Sequence, residues 1–175
     1  MSQRGFELLE NMEKQKVTLD VTHLSEDSFW DAMKAFNGEI LASHNNCRSI
    51  IPGVRQFSDE QVKSIVDRNG VIGVAMDDWM LYKNWSRETG NSVVSLENVV
   101  DHIDHICKIA GDTKHAGLGT DLDGGYGTEQ SPGDLDTIAD LQKIPAILEK
   151  RGYKHSDIEN IMYKNYLNKF MTTLP

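Results

Sequence analysis

GVIGVAM, residues 70–76, is apolar at every position that is not glycine. A strand with one wet face alternates apolar and polar residues; a strand apolar throughout is covered on both faces, as in parallel sheets flanked by helices. Its flanks fit that reading. Upstream, Ser58-Asp59-Glu60-Gln61 is a capping box opening a helix to about Arg68, ended by Asn69-Gly70. Downstream, Ser95 caps a helix running to Ala110, with Gly111 after it.

Working outward, the same alternation recurs. Val17–Val21 (VTLDV) and Glu39–Ser43 (EILAS) read as strands, and between them Ser25 caps a helix over Glu26–Phe36 that stops at Gly38. His115–Thr120 (HAGLGT) is a fourth, glycine-rich strand. A helix near Gln142–Lys150 follows, with Pro145 leaving its start open. Gly152 stops it, and Ser156-Asp157-Ile158-Glu159 opens a last helix. Strand-helix alternation is the pattern of a parallel α/β protein. Four units make an open sheet or half of a (β/α)8 barrel, since a full barrel takes about 250 residues and this chain has 175. Met1–Lys14 is helical in pattern with no strand before it. The expectation is therefore one domain, 1–175, forming a partial barrel that begins partway through a larger design.

Composition narrows the partners. Net charge is −9, from 27 acidic and 18 basic residues, which argues against nucleic acid, because phosphate binding needs a basic surface. No apolar run approaches the length of a membrane span, and the charged N-terminal segment is unlike a signal peptide. Two cysteines, Cys47 and Cys107, make no disulfide framework, so a reducing, cytoplasmic location is expected.

In α/β folds, sites form where parallel strands end. Four chemically useful residues fall there: His23, His44, Asp77 and Asp121. Imidazole and carboxylate suit borderline metals such as zinc. A lone histidine at a turn is usually just hydrogen-bonded; two in equivalent places, with an aspartate at a third, favour a shared ion. Asp121-Leu122-Asp123-Gly124-Gly125 also reads as an acidic calcium-type loop or a plain Asp-Gly turn, though it lacks the ligands of an EF-hand. DHIDHICK, residues 101–108, looks metal-like, but its apolar stripe (Leu96, Val99, Val100, Ile103, Ile106, Cys107, Ala110) makes it a helix on which His102 and Asp104 diverge. It is expected to be a solvated helix face. Arg55 lies in the loop after the second strand; such an arginine is usually just solvent-exposed, but beside a metal site it could clamp a substrate carboxylate. Cys47 is assigned to packing, and Trp79, Tyr82 and Trp85 to lining a pocket or covering the strand ends.

These motifs together resemble the C-terminal half of the membrane (renal) dipeptidase family. The resemblance is carried by Asp20-Val21-Thr22-His23-Leu24-Ser25, Ala42-Ser43-His44-Asn45-Asn46-Cys47-Arg48, Arg55–Gln61, Asn69–Val74, Asp101–Ile106, His115–Gly124, and Leu148–Ile158 with Asn165–Phe170. It implies a (β/α)8 zinc dipeptidase in which His23 and His44 hold one of two zinc ions, Arg55 binds substrate and Asp121 is catalytic. The family's His-x-Asp on its first strand, its metal-bridging glutamate and a substrate histidine find no counterpart. Thr22, Cys47 and Gln56 replace a usual Ser, Ala and Asn, and Asp77 stands where many members have a substrate-facing Tyr.

The resemblance thus leaves a dipeptide-hydrolysing zinc metallopeptidase, truncated and of low or no activity alone, completed by a missing N-terminal half or a second copy. A non-catalytic half-barrel serving as an interaction module is the alternative, and another barrel metallohydrolase a third.

Overall fold

The computed structural model describes residues 1–122 and 124–171. Helix α1 (Gln3–Lys14) is followed by strand β1 (Leu19–Asp20), α2 (Glu26–Ala35), β2 (Ile40–Leu41), α3 (Asp59–Asp67), β3 (Ile72–Val74), α4 (Asp78–Leu81), α5 (Leu96–Ala110) and β4 (Ala116–Leu118). Helices α6 (Ile144–Lys150), α7 (His155–Glu159) and α8 (Asn165–Met171) follow. The architecture is α/β with parallel strands. β1 pairs with β2 in the register Leu19↔Ile40, and β3 with β4 in the register Ile72↔Ala116. An Ala42↔Ile72 bridge, with Ala42 N–H donating to Val71 O at 2.8 Å and Gly73 N–H to Ala42 O at 2.9 Å, joins the two ladders in the order β1-β2-β3-β4.

The strands are shorter than the five to seven residues expected. Backbone donors at their ends are diverted: Val17 N–H goes to Met12 O at 2.9 Å, and Ser43 N–H to the Asp20 carboxylate at 3.0 Å. The ribbon also curls tightly. A Cβ on Gly119 would lie 2.8 Å from Gly73 Cα and would strike Ser43 O. Only glycine admits that approach.

Helices α2, α3 and α5 cover one face of the strands. Ile40, Ile72 and Val74 pack with Phe29, Ile65, Ile103 and Ile106 in a continuous apolar core. The predicted stripe of α5 is buried from Leu96 to Cys107, and Ser95 N–H is capped by Asn98 Oδ1 at 3.0 Å.

The expectation of a solvated face over residues 101–108 is corrected. His102 is fully buried, its Nδ1 accepting from Cys47 N–H at 3.0 Å, because the loop after β2 folds down onto α5. Asp104 accepts from Arg151 Nη1 at 2.5 Å and from the Tyr153 hydroxyl at 2.6 Å. Only Asp101 and Lys108 remain exposed.

Pro145 sits in the first turn of α6, where its missing N–H costs nothing; the turn of 3-10 helix over Ile138–Lys143 delivers the chain there. The last helical segment starts at His155 rather than Ser156, with Asp157 Oδ2 capping Lys154 N–H at 3.1 Å. It passes through a π turn, Asn160–Lys164, into α8. Asn165 Nδ2 donates to Thr113 O and Ala116 O at 2.7 and 2.8 Å, and Lys169 pairs with Glu39 at 2.5 Å. Helix α8 is thereby moored to the starts of both β4 and β2.

Candidate active site

His23, His44, Asp77 and Asp121 are each the third residue beyond β1, β2, β3 and β4 respectively. Equivalent offsets on adjacent parallel strands bring the four to one end of the ribbon. His23 and Asp121 have left-handed backbones, φ 68° and 54°, a region that strains most side chains with a Cβ by about 1–2 kcal/mol and that Asp, Asn and His enter more readily. Such strain persists only where the surroundings dictate it.

The His23 and His44 rings meet Nε2 to Nε2 at 2.9 Å, edge to face. One Nε2 then carries the proton and the other accepts it. Asp121 Oδ2 lies 3.8 Å from His44 Nε2. Asp20, the last residue of β1, ties the two histidine turns together: its Oδ1 accepts from Thr22 N–H and from Ser43 N–H, both at 3.0 Å. Thr22 Oγ1 accepts from His44 N–H at 3.3 Å, and Ser43 Oγ pairs with His44 Nδ1 at 2.8 Å. Burial holds His44 below the ordinary imidazole range, helped by Arg55 and His23 and opposed by Asp121 and Asp20. A neutral ring keeps a lone pair for a ligand.

Arg55 reaches back over the same end. Its Nη1 bonds Asn45 Oδ1 and its Nη2 donates to His44 O at 3.1 Å. A cavity of about 220 Å3 opens beside it, with His23 and Arg48 on its walls. The carrying loop is anchored by Asn46, whose side chain accepts from Ala75 N–H at 2.8 Å and donates to Ala75 O and Met80 O at 3.2 Å.

Asp77 belongs to the same end but is engaged: Trp79 Nε1 donates to it at 2.6 Å and Gln130 Nε2 at 2.9 Å. Burial raises its pKa, with the Asp121 charge adding to the effect. Trp79 and Tyr82 are partly exposed near these strand ends, whereas Trp85 turns its Nε1 to Gly90 O at 2.8 Å. Cys47 is a fully buried free thiol pushed up to about 12 by burial, as its packing role requires. Asp123 of the acidic loop lies outside the described residues.

His23, His44, Arg55 and Asp121, all singled out from the sequence, thus meet, while Asp77 stands at the same end with Trp79 and Gln130 as its partners. Asp20, Asn45 and Asn46 were missed as contributors; an acidic residue closing a strand and paired asparagines after a histidine were the available signals. Two convergent imidazoles match zinc in donor type, but among the described residues no group of three His, Cys, Asp or Glu is arranged to hold a metal ion. The pair fits part of a site and not the whole of one, since zinc takes about four ligands. No helix among the described residues is long and apolar enough to cross a membrane.

Comparison with known proteins identifies the family and the fold. The family model for membrane dipeptidase (peptidase family M19) matches residues 1–173. Dipeptidase tcpJ of Claviceps purpurea is 27% identical over 95% of this chain and 37% of its own length. A Klebsiella pneumoniae protein from the pqqA 5′ region is 29% identical over 93% of this chain and 57% of its own. A Rhodobacter sphaeroides metallo peptidase, solved with a phosphinate mimic of the dipeptide L-Ala-D-Ala, shares the fold at a TM-score of 0.87, with 23% identity over 99% of this chain and 47% of that one. The chain spans about half the length of the relatives it matches.

Proposed function

We propose that this chain, which belongs to the membrane dipeptidase family (peptidase family M19), carries the strand-end ligands of a zinc-dependent dipeptidase site on a partial barrel spanning 1–175. The observation that carries the reading is the meeting of His23 Nε2 and His44 Nε2 beside the Asp121 carboxylate. Relatives named as dipeptidases, and the dipeptide mimic in the Rhodobacter structure, support the substrate class.

A zinc ion held by His23 and His44 would supply a water acidified toward neutral pH and a Lewis acid for the scissile carbonyl. The chain's own groups do the rest. His23 and His44 bring their Nε2 atoms to one point, where both would offer lone pairs once the proton between them is lost, and Ser43 and Thr22 fix His44 there. Asp121, adjacent to that point, accepts a proton and returns it to the departing amine. Arg55 binds the substrate carboxylate through its planar fork, which orients the peptide bond over the histidines.

Two imidazoles and one nearby carboxylate fall short of a closed zinc site. The isolated chain is therefore expected to hydrolyse dipeptides weakly or not at all, with remaining ligands supplied by further polypeptide, either a second copy or another segment. The lack of a three-ligand group among the described residues also favours a second reading, a non-catalytic half-barrel acting as an assembly module. Zinc per chain, measured alongside hydrolysis of a dipeptide, separates them. Two zinc ions per chain with turnover would refute both the inactive-alone expectation and the module. Weak zinc binding lost in His44→Ala supports the partial site, and no zinc binding at all leaves the module.

A further inference from the structure

Beneath the histidine turns, one side chain arrives from the far end of the chain. Tyr166 of α8 directs its hydroxyl at Ala42 O and Ser43 O, 3.1 Å from each, across sequence separations of 124 and 123 residues. The ring lies against the glycines of β3 and β4: a Cβ on Gly117 would come within 2.7 Å of Tyr166 Cε2, and one on Gly73 would strike the hydroxyl itself. Phe170 stacks on its other side, with centroids 6.0 Å apart and planes inclined by 17°. The mooring of α8 by Asn165 and Lys169 fixes where the ring enters.

Ser43 O belongs to the peptide unit whose nitrogen is that of His44, and such a unit is planar. Its two ends are gripped from opposite directions. Tyr166 donates to the oxygen, and Thr22 Oγ1 accepts from the His44 N–H. With the plane fixed, the Ser43 Oγ to His44 Nδ1 bond sets the ring. We propose that Tyr166 is a positioning residue: through the Ala42 and Ser43 carbonyls its hydroxyl sets the Ser43–His44 peptide and so aims His44 Nε2 at His23 Nε2. The last helix then works as part of the strand-end site and not only as packing. Apolar contact alone would be served by phenylalanine; the hydroxyl adds one proton shared between Ser43 O and Ala42 O, the latter already accepting from Gly73 N–H.

The test uses the metal-free chain first, so that it stands apart from the zinc reading on which its second arm rests. In wild type, a Tyr166 hydroxyl proton protected from exchange, with nuclear Overhauser contacts to Ala42 and Ser43, is required; a freely exchanging hydroxyl overturns the proposal even if no variant folds. In Tyr166→Phe, the thermal midpoint is expected to stay within a few degrees, while the His44 ring 15N signals shift and broaden as the imidazole loses its single orientation. Cobalt(II) ion, followed by its visible absorption, should bind about 10-fold more weakly, the scale on which groups behind metal ligands act. Tyr163→Phe, altering an exposed tyrosine whose hydroxyl donates to Glu159, is the control and should change neither signal. Unchanged His44 ring signals in Tyr166→Phe overturn the proposal. Changed ring signals in a protein whose wild type binds no cobalt uphold it and defeat the zinc reading instead.

Discussion

His23 and His44, 21 residues apart in sequence, face each other Nε2 to Nε2 at 2.9 Å, and the His44 ring is held in that pose by Ser43 Oγ at 2.8 Å. Thr22, Ser43 and Asp20 hold the two turns through backbone and ring hydrogen bonds. Pre-set donors bind an ion without paying for ordering on arrival. His23→Ala and His44→Ala are each expected to weaken zinc binding by at least about 10-fold, since each removes one direct ligand. Calorimetric titration of zinc into the chain checks this. Equal affinity in either variant would place the metal elsewhere.

His102 and Asp78 give the fold opposite responses to pH. Burial lowers His102 to about 3, with His105 adding to it. The unfolded chain protonates this ring near 6.5, so its contribution to stability is lost as pH falls from about 6.5 toward 3, by up to about 1.4 kcal/mol per pH unit. Asp78 is fully buried with neither oxygen bonded, and burial, then Asp77, raises it to about 7. Its contribution is present below about 4 and is lost as pH rises through 7. His102→Asn is expected to cost about 1–3 kcal/mol at neutral pH by disturbing the acceptor of Cys47 N–H, and to make the protein relatively more acid-tolerant. Asp78→Asn should raise the midpoint most at pH 8 and least at pH 4. Denaturant unfolding at pH 4, 6 and 8 reads both slopes, and parallel pH curves for the two variants would contradict the assignment.

The sites at the strand ends were legible because they depend on short-range signals. A buried apolar run marks a strand, its end marks the site, and polar residues three places beyond it stand out against that run. GVIGVAM located β3, and Asp77 follows from it directly. What escaped was set by distant partners. His102 appeared solvated because helical periodicity places it beside the apolar stripe, and only the folded loop at Cys47 shows that a second surface covers it. Strand lengths were overestimated for a related reason: Asp20 takes the Ser43 N–H that a longer ladder would have used. Tyr166 lies in a stretch that carries the family resemblance, but nothing in the sequence of that helix states which carbonyls its hydroxyl meets.

Arg55 is held by its fork, with Nη1 on Asn45 Oδ1 and Nη2 on His44 O. A lysine provides charge but no planar pair of donors. Arg55→Lys should therefore weaken binding of a carboxylate-bearing dipeptide or phosphinate mimic by roughly 10-fold or more, the value of one charge-assisted hydrogen bond, with little change in zinc content. Ligand titration of the zinc-loaded protein tests this. A matching loss of zinc would show that Arg55 supports the histidines instead of the substrate.

Asp121 combines a charge beside His44 with a left-handed backbone at φ 54°, and two substitutions separate these properties. Asparagine tolerates that conformation, whereas alanine is strained in it by about 1–2 kcal/mol. Asp121→Asn should keep the midpoint near wild type while lowering whatever dipeptide hydrolysis the completed site shows by about 10²–10⁴-fold, the usual worth of a positioned proton-transfer group. Asp121→Ala should lose the same activity and stability as well. The comparison is read from initial rates and thermal midpoints of the two variants under one buffer. If asparagine retains full rate, the carboxylate moves no proton, and its place beside His44 serves only to orient the ring.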